Sequence, residues 1–277
     1  MKKILFLGTP DFANLCLKKI IDDNDFSITV ITQPDKPIGR KKILTPPPVA
    51  QFAKKNNLEL LQPTKLKPEL IRDLNPEIGV VVAYGKIIPE DILNIPKFGF
   101  INLHFSQLPD LRGPSPMQTA LSKGYTKTGI SIIKLDSGMD SGPILAQKSI
   151  NIHENDNYIT LSEKCAKSGA NLLYSTLLEY LNNNIKLTEQ DKNKVTITKI
   201  ITRKDGEINL KKDQPQDIIN KLRAFTPWPG IYFIHNNKRF KILKAHIVES
   251  KLVIDQIQPE SKKPMSFAEF KKGHKLD

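Results

Sequence analysis

Residues 98–113 read FGFINLHFSQLPDLRG and decide how the rest of the chain is interpreted. The first half is apolar enough for a buried strand, and the Pro, Gly and polar residues that follow are typical of an irregular loop. Side chains alternate along a strand, so Asn102 and His104 lie on one face while Ile101 and Leu103 lie on the other. An amide and an imidazole paired on a buried strand either satisfy neighbouring loops or belong to a reactive centre.

A second stretch, residues 135–145, reads LDSGMDSGPIL and places a carboxylate in a glycine-rich turn. Strand-like runs at 129–135 and 144–150 flank it. Because glycine tolerates positive φ, such a turn can bend sharply and direct Asp140 inward. A turn of this composition is often only a turn, but its combination with the Asn-x-His strand favours a catalytic role.

Together, the two stretches supply the groups that an amine needs in order to attack a carbonyl carbon. Asp140 can accept the proton of the amine, directly or through a water molecule. The amide of Asn102 can donate to the oxygen that becomes negative, and His104 can join it or protonate the leaving nitrogen. This chemistry needs neither a metal ion nor a covalent nucleophile, and Ser106 lies in no nucleophile elbow.

The amino-terminal half alternates short apolar runs with stretches of helical spacing, which predicts a doubly wound α/β domain with a mostly parallel sheet. The first run ends in Gly8-Thr9-Pro10 and lacks the Gly-x-Gly-x-x-Gly pattern of a dinucleotide site. The run at 78–83 is apolar throughout and continues into Tyr84 and Gly85. That position is the carboxyl end of a strand, where such sheets bind ligands.

Residues 33–48 interrupt this alternation with a segment rich in Pro and charged residues. We expect a long exposed loop without a regular element. Loops of this length inside a compact domain are commonly functional or disordered.

A mainly polar stretch, residues 182–194, is typical of a connector between domains. We predict a catalytic domain at 1–182, a linker at 183–202 and a second domain at 203–277. Short alternating runs in the second domain predict a small β domain of the barrel kind.

Composition favours a globular protein with a polyanionic partner. The chain has 277 residues, of which 39% are hydrophobic, and a formal net charge of +13. Residues 203–277 carry 16 Lys and Arg against 9 Asp and Glu, more than half of that excess. Phosphate contacts with RNA would use such a surface, although a lysine-rich proteome would give the same bias.

The sequence also limits where the protein works and what it holds. No run approaches the length of apolar chain that a membrane span needs, so we expect a cytoplasmic protein. The two cysteines, Cys16 and Cys165, fall on predicted helices without partners at metal-binding spacing. We therefore expect buried thiols and no metal site.

Eight segments, in order along the chain, carry a resemblance to a known family. They are residues 8–12, 32–40, 81–85, 102–109, 112–116, 139–142, 225–229 and 262–266. The sequence resembles the folate-dependent formyltransferases, most of all those that formylate methionyl-tRNA. The resemblance implies an α/β, Rossmann-like formyltransferase domain followed by a small OB-like β-barrel.

By the same resemblance, the formyl donor is 10-formyltetrahydrofolate, the acceptor is the amino group of initiator methionyl-tRNA, and no metal takes part. Asn102, His104 and Asp140 form the implied catalytic set. The implied folate contacts are Ser106, Gln107, Leu108, Pro109, Tyr84, Gly85 and Ile87, and the implied tRNA contacts are Arg40, Lys41 and Lys42.

The chain departs from the family pattern in two places. Phe105 and Gln107 flank Ser106, where relatives carry a small residue and a leucine. Between Ala245 and Leu252 there is room only for a tight turn, so we expect a shortened barrel. Phe105 and Trp228 could each offer a stacking surface, but we expect both to pack in cores, since aromatic residues beside proline-rich turns usually do so.

Three other functions remain open at this point. The same residues would serve a formyltransferase that acts on a sugar-nucleotide amine, or a formyltetrahydrofolate hydrolase that uses water as acceptor. The non-enzyme alternative is a catalytically decayed RNA-binding protein. We expect the protein to be a monomer.

Overall fold

The computed structural model describes residues 1–23, 25–39 and 41–273, and its contacts divide the chain into two compact units. The first unit comprises residues 1–114, 129–150 and 163–197, and the second comprises 115–128, 151–162 and the chain from Thr198 onward. Residues 183–197, expected in a linker, therefore belong to the first unit. Because the units are interleaved along the chain, the boundaries at 182 and 203 remain a prediction about domains.

The strands found among the described residues are β1 (Lys2–Gly8), β2 (Phe26–Ile31), β3 (Lys36–Ile38), β4 (Ile43–Thr45), β5 (Glu59–Leu61), β6 (Ile78–Val82), β7 (Phe100–His104), β8 (Lys127–Lys134), β9 (Ile144–Asn151), β10 (Ile231–His235), β11 (Lys238–Val248), β12 (Lys251–Pro259) and β13 (Met265–Ser266). The α-helices are α1 (Ala13–Ile21), α2 (Pro48–Lys55), α3 (Pro68–Leu74), α4 (Glu90–Leu93), α5 (Pro116–Ser122), α6 (Tyr158–Leu181), α7 (Pro215–Phe225) and α8 (Phe267–Gly273). Short 3-10 helices span Lys192–Lys194 and Arg203–Gly206.

A seven-stranded sheet, in the order β5-β2-β1-β6-β7-β8-β9, forms the centre of the first unit. The pairings from β5 through β7 are parallel, and β8 joins β7 antiparallel. This arrangement confirms the predicted α/β fold with a mostly parallel sheet. The chain runs from β1 toward one edge and returns to place β6 on the other side of β1, which creates the switch point where such sheets form ligand crevices.

The core on this sheet depends on close approach between β6 and β7. Every residue of β6 is buried, as its continuous apolar sequence predicts. Gly79 leaves room for the ring of Phe100, because a Cβ at this position would lie 2.0 Å from that ring. The glycine therefore lets the strand that carries Asn102 and His104 pack at its natural distance.

Several helices begin at a proline, which explains how the chain enters them. Pro48, Pro68, Pro116 and Pro215 each stand in the first turn of a helix. Proline is favoured there because its ring presets φ and the first turn does not need its missing N–H.

The segment 33–48 differs from its prediction as an irregular loop. Strands β3 and β4 pair antiparallel within it and form a small hairpin. The β-branched residues Ile38, Ile43 and Thr45 favour strands, and Gly39 at φ +73 permits the turn. Residues 36–39 and 41–44 are exposed as expected, including Ile38, Ile43 and Leu44 on the two strands.

The second unit contains a four-stranded antiparallel sheet in the order β10-β11-β12-β13. Aromatic rings pack in its core: Phe233 and Phe240 are stacked with centroids 5.4 Å apart, and Phe240 and Phe270 meet at a tilt with centroids 5.0 Å apart. The turn between β11 and β12 consists of Glu249 and Ser250, both at positive φ. This tight turn and the antiparallel strands confirm the expected second β region and its short connection.

Two predictions about single side chains have different outcomes. Phe105 is buried and meets Phe12 edge to face, with ring centroids 5.1 Å apart, so its assignment to a core is confirmed. Trp228 is 54% exposed, so its assignment to a core was wrong. The turn that carries Trp228 presents the ring at the surface of its own unit.

Candidate active site

Strand β7 delivers Asn102 and His104 to one place. In the sheet, Asn102 lies beside Val81 of β6 and Ile133 of β8, and His104 lies beside Ser131. The neighbouring Leu103 is buried on the opposite face, as the alternation predicts. His104 is itself only 5% exposed, so its imidazole is held in a largely dry environment.

Asp140 meets these two side chains. The amide Nδ2 of Asn102 donates to Oδ1 of Asp140 at 3.3 Å, and Nδ1 of His104 lies 3.5 Å from Oδ2. The backbone N–H of Gly113 donates to Oδ2 at 2.8 Å. Asp140 adopts φ +48, a left-handed conformation that turns its carboxylate toward the strand. The structure thus brings the three predicted catalytic side chains together.

The second ring nitrogen of His104 identifies where its proton resides. Nε2 lies 2.9 Å from the carbonyl oxygen of Leu111. A carbonyl only accepts, so Nε2 carries a hydrogen and Nδ1 is the nitrogen that exchanges a proton at this site. The sequence had left both nitrogens as candidates.

The Asp140 and His104 side chains form a partly desolvated pair. They are 16% and 6% exposed, respectively. Electrostatic interactions are stronger in such surroundings than in water, since fewer water molecules screen the charges. The arrangement suits a carboxylate and an imidazole that exchange a proton with each other or with a bound molecule.

The predicted folate loop, residues 106–109, is held by its own hydrogen bonds. Ser106 is buried, and its Oγ donates to the carbonyl of Asp110 at 2.5 Å. The hydroxyl of Ser131 donates to the Ser106 carbonyl at 2.7 Å and accepts the Leu108 N–H at 3.1 Å. Leu108 is buried and is joined to Pro109 by a cis peptide bond. The Ser106 hydroxyl therefore shapes the loop and does not point outward.

The side chain of Gln107 in this loop points toward solvent. Gln107 is exposed, and its Oε1 accepts a hydrogen bond from Ser149 Oγ at 2.8 Å. It occupies the place where the family pattern has a leucine. A polar side chain at the surface, tethered to a neighbouring strand, therefore replaces an apolar one.

Residues 84–88, which we call the predicted folate rim, leave β6 at the switch point of the sheet. The Tyr84 ring is buried in the core, and its carbonyl accepts Thr9 Oγ1 at 2.8 Å and Gln33 Nε2 at 2.9 Å. Burial raises the pKa of Tyr84. Gly85 has φ +78, and Ile87 is 92% exposed. The buried ring and the hydrogen-bonded carbonyl of Tyr84 therefore anchor the rim to the core, while Gly85 and Ile87 are accessible.

Two of the three predicted tRNA contacts, Lys41 and Lys42, lie in the turn between β3 and β4. Lys41 and Lys42 are exposed, and Lys42 adopts φ +50. Arg40 lies outside the described residues. At the base of the hairpin, Lys36 Nζ donates to Gln33 Oε1 at 2.6 Å, which joins the hairpin to the folate rim through Gln33.

The sequence missed an arginine and an amide that surround the Asp140 turn. Gln190 is 7% exposed, and its Nε2 donates to the carbonyls of Asp140 and Gly142 at 2.9 and 2.7 Å. Arg112 donates to Gln190 Oε1 from Nε at 3.0 Å and from Nη2 at 2.7 Å. The sequence gave no indication of a role for Gln190, because its partners Asp140 and Arg112 lie 50 and 78 positions away along the chain.

The described residues contain no cluster of three or more His, Cys, Asp or Glu side chains arranged to hold a metal ion. Cys16 and Cys165 are buried, as expected, and burial raises the pKa of Cys16 to about 12. Over that same part of the chain, no helix is both long and apolar enough to cross a membrane.

Comparison with known proteins places these features in context. A family profile described as Formyl transferase matches residues 2–177, and one described as Formyl transferase, C-terminal domain, matches residues 200–252. The methionyl-tRNA formyltransferase of Caldicellulosiruptor saccharolyticus is 48% identical over 252 residues, which cover 89% of this chain and 80% of that protein. The methionyl-tRNA formyltransferase of Thermodesulfovibrio yellowstonii is 38% identical over 299 residues, which cover 99% of this chain and 96% of that protein.

Solved structures share the fold at lower identity. A methionyl-tRNA formyltransferase from Clostridium thermocellum superposes with a TM-score of 0.66 at 18% identity, covering 94% of this chain and 99% of that one. An N-formyltransferase from Helicobacter canadensis, solved in complex with folinic acid and dTDP-3-aminofucose, superposes with a TM-score of 0.69 at 20% identity, covering 90% and 88%. At these identities the likeness concerns the fold.

Proposed function

The chain belongs to the methionyl-tRNA formyltransferase family, and from that premise we propose that Asn102, His104 and Asp140 carry out its reaction. The membership confirms the resemblance found in the sequence. The enzyme transfers a formyl group to the amino group of methionyl-tRNA, which serves translation initiation. One observation supports the residue assignment above all: the Asn102 amide and the His104 imidazole converge on the Asp140 carboxylate.

The formyl donor in this proposal is 10-formyltetrahydrofolate, which supplies the formyl group on a nitrogen that can leave. The Helicobacter canadensis neighbour is in complex with folinic acid, a folate derivative. The accessible rim residues fit a flat heteroaromatic ring, because Ile87 offers an exposed apolar side chain and Gly85 adds no side chain of its own. A Cβ on Gly85 would lie 2.6 Å from Gln33 Nε2. The exposed side chain of Gln107 on the loop 106–109 would contact the remainder of the donor.

Asp140 acts as the base in this mechanism. Its carboxylate takes a proton from the amino group of methionyl-tRNA, directly or through one water molecule, while the amine nitrogen bonds to the formyl carbon. The Gly113 N–H at 2.8 Å keeps Oδ2 oriented, and Oδ2 is also the oxygen that faces His104 Nδ1. A fixed carboxylate loses little orientational freedom when the reaction begins.

Asn102 and His104 complete the transfer. One N–H of the Asn102 amide donates to Asp140, and the second is free in this geometry to donate to the formyl oxygen as it becomes negative. The proton taken by Asp140 passes across the 3.5 Å contact to His104 Nδ1, and Nδ1 delivers it to the leaving nitrogen when the bond to the formyl carbon breaks. Both residues then return to their starting states.

Basic residues would hold the tRNA. Lys41 and Lys42, exposed on the hairpin, supply charges near the acceptor end, with Arg40 between them and Gly39 in sequence. Residues 203–277, with 16 Lys and Arg against 9 Asp and Glu, would contact phosphates of the tRNA body. Such contacts give affinity and orientation more than sequence choice. Because the acceptor is a tRNA, we propose that the reaction takes place in the cytoplasm, and we expect the enzyme to act as a monomer.

The substitution Asp140→Asn tests the residue assignment. It keeps the shape of the side chain but removes the base, so we expect single-turnover transfer of labelled formyl to slow by about 10²- to 10⁴-fold. The variant should bind folate and methionyl-tRNA with affinities within about threefold of wild type. The control is Asp91→Asn, which changes an exposed acid, and its transfer rate should also stay within about threefold of wild type. Near-normal transfer by Asp140→Asn would overturn the role given to Asp140.

A further inference from the structure

We infer that Gln190 is a positioning residue for Asp140, an inference that rests on the transfer mechanism proposed above. Gln190 lies in a stretch that the sequence indicated as a polar connector. Its side chain is nevertheless buried and touches the backbone of the catalytic turn at two points. These contacts set where the carboxylate of Asp140 stands.

The turn at Asp140 needs such support, because its conformation is unfavourable for a residue with a side chain. Asp140 has φ +48, in the left-handed region that favours glycine. Two residues later, a Cβ on Gly142 would lie 1.8 Å from the carbonyl oxygen of Lys134, so the chain runs close against β8 at that point. A backbone held in this way persists only when neighbouring contacts determine it.

Gln190 makes those contacts with every hydrogen-bonding group of its amide. Its Nε2 donates to the carbonyl oxygens of Asp140 and Gly142, at 2.9 and 2.7 Å. Its Oε1 accepts two N–H groups from Arg112, at 3.0 and 2.7 Å. Carbonyls only accept and a guanidinium only donates, so the amide has a single orientation that satisfies all four bonds. The Gln190 amide therefore links two carbonyls of the turn to the Arg112 guanidinium through hydrogen bonds.

The segment around Gln190 also fastens the opposite side of the site. We call residues 188–197 the strap. At one end, Thr188 exchanges backbone hydrogen bonds with Ile144, at 2.8 and 3.0 Å. At the other, Thr196 Oγ1 accepts the N–H of Leu111 at 2.8 Å, and the Thr196 carbonyl accepts the N–H of Arg112 at 2.9 Å. The strap thus joins the turn that carries Asp140 to the loop whose Leu111 carbonyl holds His104.

The distance between Asp140 and His104 depends on this connection. Their contact is 3.5 Å, already near the limit at which a proton passes directly between two groups. A shift of about 1 Å in a reacting group can cost about a hundredfold in rate. Loss of the Gln190 bonds should therefore lower kcat without removing any group that touches the substrates.

The test is the variant Gln190→Met, which keeps the length of the side chain and removes its hydrogen bonds. We expect kcat for formyl transfer to fall by about 10- to 100-fold, while the KM values for folate and methionyl-tRNA change by less than about threefold. The matched control is Gln216→Met, an exposed glutamine in α7, which should leave kcat unchanged. A parallel loss in kcat and in both KM values, or kcat equal to wild type, would overturn the inference.

A double variant separates positioning from a general structural effect. If Gln190 acts through Asp140, then Gln190→Met should have little further effect in an Asp140→Asn background, measured by single-turnover transfer. If the rate losses of the two single variants instead multiply in the double variant, Gln190 acts independently of Asp140, and the inference fails. Failure of the wild-type protein to formylate methionyl-tRNA would instead overturn the proposed function. Full activity of Asp140→Asn would overturn the role of Asp140. Each of the three failures therefore gives a different result.

Discussion

Asp140 is the residue on which the contacts of the site converge. Its carboxylate receives the Gly113 N–H at 2.8 Å and the Asn102 amide at 3.3 Å, while His104 Nδ1 lies 3.5 Å away. The short contact fixes the carboxylate. The two longer contacts leave the amide and the imidazole room to turn toward a reacting carbonyl, since weak hydrogen bonds are easily exchanged.

Replacement of Asn102 by alanine tests the donor to the developing negative charge. We expect Asn102→Ala to raise the barrier by about 2.7 to 4 kcal/mol, which lowers kcat by about 10²- to 10³-fold. The amide makes its strongest contact in the transition state, so KM should change little. Steady-state kinetics with labelled formyl would measure both.

The control for that experiment is Asn94→Ala, which removes an exposed amide at the end of α4. It should retain the wild-type kcat. A rise in KM with unchanged kcat in Asn102→Ala would contradict the role as an oxyanion donor and would indicate a residue that binds substrate and transition state equally.

Among single residues, the sequence identified those whose positions follow from local geometry. Alternation along a strand placed Asn102 and His104 on one face, and the glycines around Asp140 indicated a turn that projects a carboxylate. Gln190 could not be found in this way, because its role arises from contacts made across 50 positions of the chain. The same holds for His104 Nε2, whose partner is a carbonyl fixed by the fold.

At the scale of elements, the hairpin of β3 and β4 carries the exposed Lys41 and Lys42. Paired strands hold these two lysines at a defined place, which an irregular loop would not do. A chain that is ordered before binding loses less conformational entropy when a ligand arrives. The hairpin therefore suits a surface that receives a large, charged acceptor.

The double variant Lys41→Ala, Lys42→Ala tests this surface. We expect a higher KM for methionyl-tRNA and an unchanged KM for folate, because phosphate contacts are lost while the folate loop is untouched. The slope of log K against log salt should decrease by about 0.7 to 0.9 for each lost phosphate contact. Titrations of tRNA at several salt concentrations would measure it.

A matched pair of exposed lysines in α2, Lys54 and Lys55, provides the control when changed to alanine. An equal weakening of folate and tRNA by the Lys41, Lys42 variant would show instead that the hairpin has a structural role.

The 3-10 helix at Arg203–Gly206 supplies a pH-dependent element. Burial of Asp205 opposes ionisation, but hydrogen bonds from Lys199 and Thr202 outweigh it and lower the pKa of Asp205 to about 2. A lowered pKa in the folded state stabilises the fold above the unfolded pKa of about 3.9, and this contribution is lost as the pH falls toward 2. Because Lys199 is 77% exposed, solvent screens the pair and reduces the contribution.

The variant Asp205→Asn should therefore lower the free energy of unfolding by about 1 to 2 kcal/mol at pH 7, and the difference from wild type should shrink toward pH 2. Urea denaturation at both pH values measures it. Asp217→Asn, which changes an exposed acid in α7, is the control. A difference that stays constant with pH would rule out the ionised pair as its origin.

Long elements could be predicted from the sequence, and short ones could not. Strand β6 is apolar throughout, and helix α6 carries apolar residues at a helical period, so the sequence of each indicates its type. The six residues of β3 and β4 have no core face, so no period marks them, and Pro-rich composition argued against regular structure. Pairing between the two short strands decided their conformation.

At the scale of the whole molecule, the excess positive charge is unevenly distributed along the chain. Residues 203–277 hold 16 basic and 9 acidic residues, and the described part of this region forms the antiparallel sheet with its helices. The fold class, the order of elements and the family were all accessible from sequence, because each depends on patterns spread over many residues. The interleaving of the two compact units was not, since it depends on contacts between distant segments.

The measurement that tests the central claim most directly is transfer of labelled formyl from 10-formyltetrahydrofolate to methionyl-tRNA. It is run beside free methionine, an amino-sugar nucleotide and a reaction without acceptor. We predict labelled product on methionyl-tRNA, no product on the other amines and no release of formate without an acceptor. Product on the amino-sugar nucleotide, formate without an acceptor, or retained tRNA binding with no transfer would each contradict the account.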